Sequence, residues 1–182
     1  MNERCPARLL CLGNDLIADD AFGIAVARRL RRDLAGVVAD ADADILDPAV
    51  MMTVGTHPVA GPVEIVETAL SGLYLMDAVV GASLLIVVDA MATLQEPPGT
   101  VMVFAEQDIV SVPGGSPHYV GLFEILTLGR SLGLDVPDEV VIVAVEADDM
   151  ITIGGGMTEA VSAAVPAVVT LVDDLLAGNR PG

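Results

Sequence analysis

Apolar residues in this 182-residue chain follow two rhythms, unbroken runs and helix-spaced stripes, and the two take turns along the sequence. The first run, Ala7 to Gly13 (ARLLCLG), reads as a strand buried on both faces. A helix is expected from Asp20 to about Ala35, with Val26, Ala27, Leu30 and Leu34 on its apolar side. Acids open that helix and Arg28, Arg29, Arg31 and Arg32 crowd its end as a solvated face, an arrangement the helix dipole favours. Val37 to Leu46 alternates Ala with Asp, a weak strand signal, and Asp47 to Pro62 reads as an irregular excursion rich in Pro and Gly.

Val63 to Val66 is the next strand and ends at Glu67. Ser71 to Val80 has helical spacing closed by Gly81, and Ser83 to Ala90 (SLLIVVDA) is the clearest strand of all. After a Pro97-Pro98-Gly99 turn come a strand at Thr100 to Phe104, a loop at Glu106 to Pro117, and a helix from His118 to about Leu132. Glu139 to Val145 is the last strand; a Gly154 to Gly156 loop follows, and then a final helix from Thr158 to about Ala177. Continuous apolar strands alternating with helices predict an α/β fold. The expected architecture is three-layer, a mainly parallel twisted sheet of about five strands flanked by helices on both faces, in one domain over residues 1–182.

Composition narrows the partners. Acids outnumber bases 26 to 8, every base is Arg, and the formal charge is −18. Such a chain repels phosphate backbones and anionic lipid, so neither nucleic acid nor a membrane surface is expected as partner; a basic protein or a cation is. Two cysteines, Cys5 and Cys11, make no disulfide framework, and Met1 to Leu12 is too short in apolar residues for a secretory leader. Ala160 to Val172 contains Pro166 and is too short to span a bilayer. The expectation is a cytoplasmic protein, a monomer or a weak homo-oligomer.

Ligands of open α/β sheets bind outside the carboxyl ends of the strands, so polar residues just after each apolar run are the candidates. Asp19 and Asp20 follow the first strand, Glu67 the second clear one, Asp89 closes SLLIVVDA, and His118 opens a helix in Ser116-Pro117-His118. Each has a plain structural reading as well: a helix cap, a solvated acid, a strand-end acid bonding loop amides, a capping His. Together, Asp20, Asp89 and His118 offer two oxygens and one nitrogen, a donor set that suits zinc, nickel, cobalt or iron, with Glu67 as a third acid nearby. His57 lies in the irregular segment and is a weaker candidate. The Gly spacings of nucleotide-binding loops, a Gly-x-Ser-x-Gly elbow and a His-Glu-x-x-His helix do not occur. Asp19 and Asp20, being adjacent, are expected to point apart and not to share a proton as an aspartic-protease dyad does.

These residues resemble the maturation endopeptidases of nickel–iron hydrogenases. LCLGNDLIADDAFGIAVARRL is similar to that family's opening signature of strand, Gly-Asn, acidic pair and Gly. VEIVETALSG, SLLIVVDA, PPGTVMVF, SPHYVGLFEIL, EVVIVAVEADDM and the closing GGGMTEAVSAAVPAVVTLVDDLL extend the likeness over about Leu9 to Leu176. The resemblance implies an endopeptidase that recognises nickel already inserted in the precursor of the hydrogenase large subunit and removes its C-terminal extension. It places the family's metal contacts on Asp20, Asp89 and His118 and a further carboxylate on Glu67, and it implies no stored cofactor, the nickel belonging to the substrate. Here Glu67 stands where the family usually has Asp, Thr68-Ala69-Leu70 replaces Gly-Gly-Thr, and Ala21 stands where a Gly is frequent. A non-enzymatic homologue that binds the nickel-loaded subunit as sensor or chaperone is the alternative. A small-anion site at a helix N-terminus is a third reading, opposed by Asp15, Asp19 and Asp20.

Overall fold

A computed structural model describes residues 5–39, 50–111 and 117–180. Strands β1 (Cys5–Leu12), β2 (Ala35–Ala39), β3 (Val50–His57), β4 (Gly61–Thr68), β5 (Ala82–Met91), β6 (Val101–Ala105) and β7 (Glu139–Glu146) form one sheet in the order β2-β3-β4-β1-β5-β7-β6. The sheet therefore has seven strands where about five were expected. The central four, β4, β1, β5 and β7, are parallel, while β3 and β6 run antiparallel to their neighbours. The parallel strands are the continuous apolar runs because both of their faces are covered.

The excess over the expected count comes from β2, where the weak alternation from Val37 is a strand, and from β3, in the segment taken as irregular. Val50–His57 is a strand that forms a hairpin with β4, turning through Pro58-Val59-Ala60. Gly61 begins the return strand with a φ of 78°, which only glycine adopts without strain. Residues 40–49 lie outside the described residues, and with them the start of that segment and all of the strand expected as far as Leu46 except 37–39, which fall in β2; of the loop before Pro117, Glu106–Ser111 is a 3-10 turn and 112–116 lie outside the described residues.

Four helices cover the sheet: α1 (Phe22–Asp33), α2 (Met76–Val79), α3 (Pro117–Ser131) and α4 (Glu159–Leu176). On one face Phe22, Val26, Ala27 and Leu30 of α1, with Val161, Val168 and Val172 of α4, pack on Leu9, Cys11, Ile65, Ile86 and Val88. On the other, Leu122, Ile125 and Leu126 of α3 and Ala78 and Val79 of α2 pack on Leu10, Leu12, Val66, Leu85 and Val87. Burying each such side chain contributes about 1.5–3 kcal/mol. The period-two alternation of strands thus sends neighbouring residues to opposite layers, which decides the site below. Among the described residues no helix is long and apolar enough to cross a membrane.

Buried polar residues pin the frame away from the carboxyl edge. Arg8, at the start of β1, pairs with Glu64 at 2.6 Å and donates to the carbonyls of Ala78 and Val80 at 3.1 and 2.8 Å, satisfying the end of α2. His57 accepts the Ala60 N–H on Nδ1 at 3.0 Å, so its Nε2 faces Asp173 of α4 at 3.0 Å as donor. His57 is thereby a staple between hairpin and helix.

Candidate functional site at the carboxyl edge of the sheet

From β1 the chain passes to the edge strand β2, returns through β3 to β4 beside β1, and then crosses to β5 on the other side of β1, so the strand order reverses about β1. Such reversals open a crevice at the carboxyl ends of the strands. The candidates sit there: Asp20 in a 3-10 turn after β1, Glu67 near the end of β4, Asp89 near the end of β5. Register places Cys11 opposite both Glu67 and Val88, so Glu67 and Asp89 lie within one residue of the same level.

Two glycines bring Asp20 to this level. Gly13 leaves β1 with a φ of 138°, and any Cβ there would collide with the carbonyl oxygen of Asp20. A Cβ on Gly23 would collide with Leu12 O and lie 2.7 Å from Val88 O. The start of α1 therefore rests directly on the ends of β1 and β5, and the 3-10 turn Asp19–Ala21 packs against β5.

The acidic pair divides its work. Asp19 is fully buried, and its carboxylate accepts the N–H groups of Asp148, Asp149 and Thr158 at 2.9, 2.9 and 2.7 Å. The Thr158 hydroxyl donates to it as well, at 3.1 Å. It therefore clamps the whole loop between β7 and α4 and leaves Asp20, also buried, as the acid of the pair at the crevice. Asp89 is fully buried, and its Oδ1 accepts the Ala90 N–H at 2.8 Å.

The sheet separates Glu67 from Asp89. Val63 and Ile65 belong to the α1 layer, and Glu67 follows them; Leu85, Val87 and Met91 belong to the α3 layer, and Asp89 shares their alternation. Glu67 is buried against α1 and forms an ion pair with Arg31, whose Nε donates to the Thr53 hydroxyl at 2.9 Å. Arg31 is thus turned inward, unlike Arg28, Arg29 and Arg32, and this corrects the reading of all four as a solvated face. Burial raises the pKa of Glu67 and the Arg31 charge opposes that rise. Burial, with the nearby Glu67 charge, also raises the pKa of Cys11, which keeps it an inert thiol. Glu67 borders a cleft of about 210 Å³ with Gly13, Asn14, Arg28, Met51 and Ala69.

The backbone of His118 lies in the first turn of α3, and its side chain is outside what the structure describes. One turn on, a Cβ at Gly121 would come within 2.8 Å of Gly72 N, so the start of α3 lies against the segment following β4. The far end of α3 is tied by Arg130 to Glu106 at 2.5 and 2.7 Å. Among the described residues no three His, Cys, Asp or Glu side chains gather as a metal-holding group. A larger recess, about 490 Å³, lies at the other end of the sheet beside β6 and β7. Its Glu139 is paired with Arg180 at 2.6 Å and its Glu106 with Arg130, so size does not mark the chemistry here.

Sequence reasoning missed Asp19 as the clamp and Arg31 as the partner of Glu67. Neither bond has a local signature, since the partners are 139 residues away for Thr158 and on another element for Glu67.

Known proteins with this geometry point one way. The HybD maturating endopeptidase of E. coli superposes with a TM-score of 0.68 at 22% identity, covering 92% of this chain and 89% of that one. HybD of Thermococcus kodakarensis, a [NiFe] hydrogenase maturation protease, gives 0.66 at 19% identity over 94% and 99%. In sequence, the hydrogenase expression/formation protein HoxM of Cupriavidus necator is 27% identical over 168 residues, 91% of this chain and 71% of its own length. The profile of the HycI hydrogenase maturation proteases matches residues 52–174, a span that holds Glu67, Asp89 and His118. On that match, the chain belongs to the hydrogenase maturation protease family.

Proposed function

We propose that this protein is the endopeptidase that recognises nickel in the precursor of a nickel–iron hydrogenase large subunit and removes its C-terminal extension. What supports the proposal is that buried Asp20 lies in the turn after β1, which packs on the adjacent strand β5, near whose end Asp89 is buried, with the first turn of α3, bearing His118, against the segment following β4. Two carboxylate oxygens and an imidazole nitrogen are a donor set for a borderline divalent ion with positions left open. The nickel is part of the substrate, and no resident cofactor is needed; another divalent metal can stand in for it in a crystal.

In this reading Asp20, Asp89 and His118 grip the subunit through its nickel and so hold the scissile peptide at the crevice. A carboxylate takes a proton from water, the water oxygen adds to the peptide carbonyl carbon, and the amine leaves with a proton as the C–N bond breaks. Glu67 contacts the extension through the cleft that it borders. Its pairing with Arg31 makes it a weaker candidate for the proton acceptor than Asp20 or Asp89.

The same Arg31 pairing, with Thr68-Ala69-Leu70 after Glu67, favours one other reading, a non-cleaving homologue that binds the loaded subunit. One assay separates them. Purified protein is mixed with nickel-loaded large-subunit precursor from the same organism, and the C-terminus is followed by mass. Loss of a short peptide that requires nickel, and that Asp20→Asn, Asp89→Asn and His118→Ala each abolish without unfolding, is the expected result. Binding without cleavage, of a precursor that cell extract does mature, assigns the sensor role instead. Normal cleavage by all three variants removes the proposed site.

A further inference from the structure

Two buried acids, Asp19 in the turn after β1 and Glu146 at the end of β7, do no chemistry in this reading, yet each fixes an exposed apolar loop. Asp19 clamps the β7–α4 loop, in which Ile151 and Ile153 are 86% and 79% exposed. Asp149 tightens the loop tip by accepting the N–H groups of Ile151 and Thr152 at 3.0 and 2.9 Å. Ile153 bridges to Ile17, and Gly154 N donates to Leu16 O at 2.8 Å, which sets exposed Leu16 beside the isoleucines. Glu146, itself buried, accepts the Leu94 N–H at 2.8 Å and the Thr93 hydroxyl at 2.5 Å. It holds Leu94 at a φ of 59°, a left-handed conformation that a leucine adopts only under constraint, with the side chain 89% exposed.

A solvated loop has no need of this. Large apolar side chains presented on constrained backbone mark a protein-binding face; Leu16 and the isoleucines share one loop pairing, and Leu94 is held by Glu146 where that loop leaves β7. The face adjoins the cleft at Glu67, because Asn14 and Asp15, which line that cleft, directly precede Leu16. Its charge is mainly acidic: residues 14–20, 92–99 and 147–158 contain Asp15, Asp19, Asp20, Glu96, Asp148 and Asp149 and no Arg, with Arg28 of α1 paired to Asp15 at 2.7 Å.

We propose that Leu16, Leu94, Ile151 and Ile153 form the docking face for the folded body of the substrate, a protein surface with an apolar centre and a basic rim. This rests on the reading of the protein as a processing enzyme, and the occupant is the large-subunit precursor. Docking there fixes the precursor while its extension reaches the crevice, so the face governs which precursor is accepted and leaves the chemical step alone.

The test is a kinetic split with the nickel-loaded precursor. Ile151→Ser/Ile153→Ser is expected to raise KM about tenfold with kcat unchanged, as loss of apolar anchors at a docking surface does. Leu132→Ser, which removes another exposed leucine, beyond the far end of α3, leaves both constants as in the parent. Binding of the precursor to Asp20→Asn, with and without the two serine changes, reads the same loss free of catalysis. Equal KM and equal binding with and without the serines, in a protein that does process precursor, overturns the docking face alone. A parent protein that neither processes nor binds precursor overturns the functional reading and the docking face with it. Sedimentation that shows the parent self-associated and the serine variant monomeric assigns the face to a second copy of this chain and overturns the proposal.

Discussion

Asp19 and Thr158 stand 139 residues apart in the chain, yet the carboxylate of one accepts both the backbone N–H and the hydroxyl of the other. Through this bond the turn that carries Asp20 and the start of α4 become one rigid piece. The acidic pair of the sequence is therefore one structural acid and one candidate site acid, and substitution separates the two.

Asp19→Ala leaves three loop N–H groups without their buried acceptor and is expected to lower stability by about 3 kcal/mol. Asp20→Asn is expected to cost under about 1 kcal/mol while abolishing precursor processing. Urea unfolding midpoints alongside the processing assay check both. Equal stability losses at the two positions would show that the clamp is not carried by Asp19.

Arg31 is the counter-charge of a buried carboxylate. Arg31→Met is expected to destabilise the fold by about 3 kcal/mol at neutral pH, because the charge of Glu67 is then uncompensated. The sign with pH follows from the raised pKa of Glu67. A carboxyl that binds its proton more tightly when folded contributes stability at low pH and loses it as pH rises through the folded value. Removing Arg31 raises that value further, so the loss in Arg31→Met is expected to be larger at about pH 8 than at about pH 5. Glu67→Gln should erase the difference, and chemical denaturation of the four proteins at both pH values reads it directly.

Gly23 lets α1 rest on the strand ends. Gly23→Ala sets a methyl group against two backbone oxygens that belong to the sheet and cannot yield. A loss of about 2 kcal/mol or more is expected, with processing reduced as well, because the turn before α1 carries Asp20. A stable Gly23→Ala protein with full activity would mean that this close approach is not needed.

The proposed docking on a basic rim implies that the acidic surplus of this chain gives the encounter an ionic component. Raising salt from about 0.05 M to about 0.5 M shrinks the screening length roughly threefold and should raise KM while leaving kcat alone. A KM indifferent to salt would leave the charge of −18 without a part in recognition.

Much of this was written in local pattern. The runs ARLLCLG, SLLIVVDA and EVVIVAV are apolar without a break because strands between two helical layers are buried on both faces, and that alone gives a parallel α/β sheet. Candidate acids at the ends of such runs follow from the rule that crevices open at carboxyl edges. Val50–His57 was hidden because Gly55 and the nearby prolines read as loop, whereas its pairing with β4 is what makes it a strand. Sequence fixed neither the separate fates of Asp19 and Asp20 nor the faces of Glu67 and Asp89, nor the inward turn of Arg31. Each of these depends on which distant backbone amide or charge arrives beside the side chain. Hydrophobic periodicity determines which residues are buried and in which element; only the docking of those elements on one another decides which buried charge meets which partner.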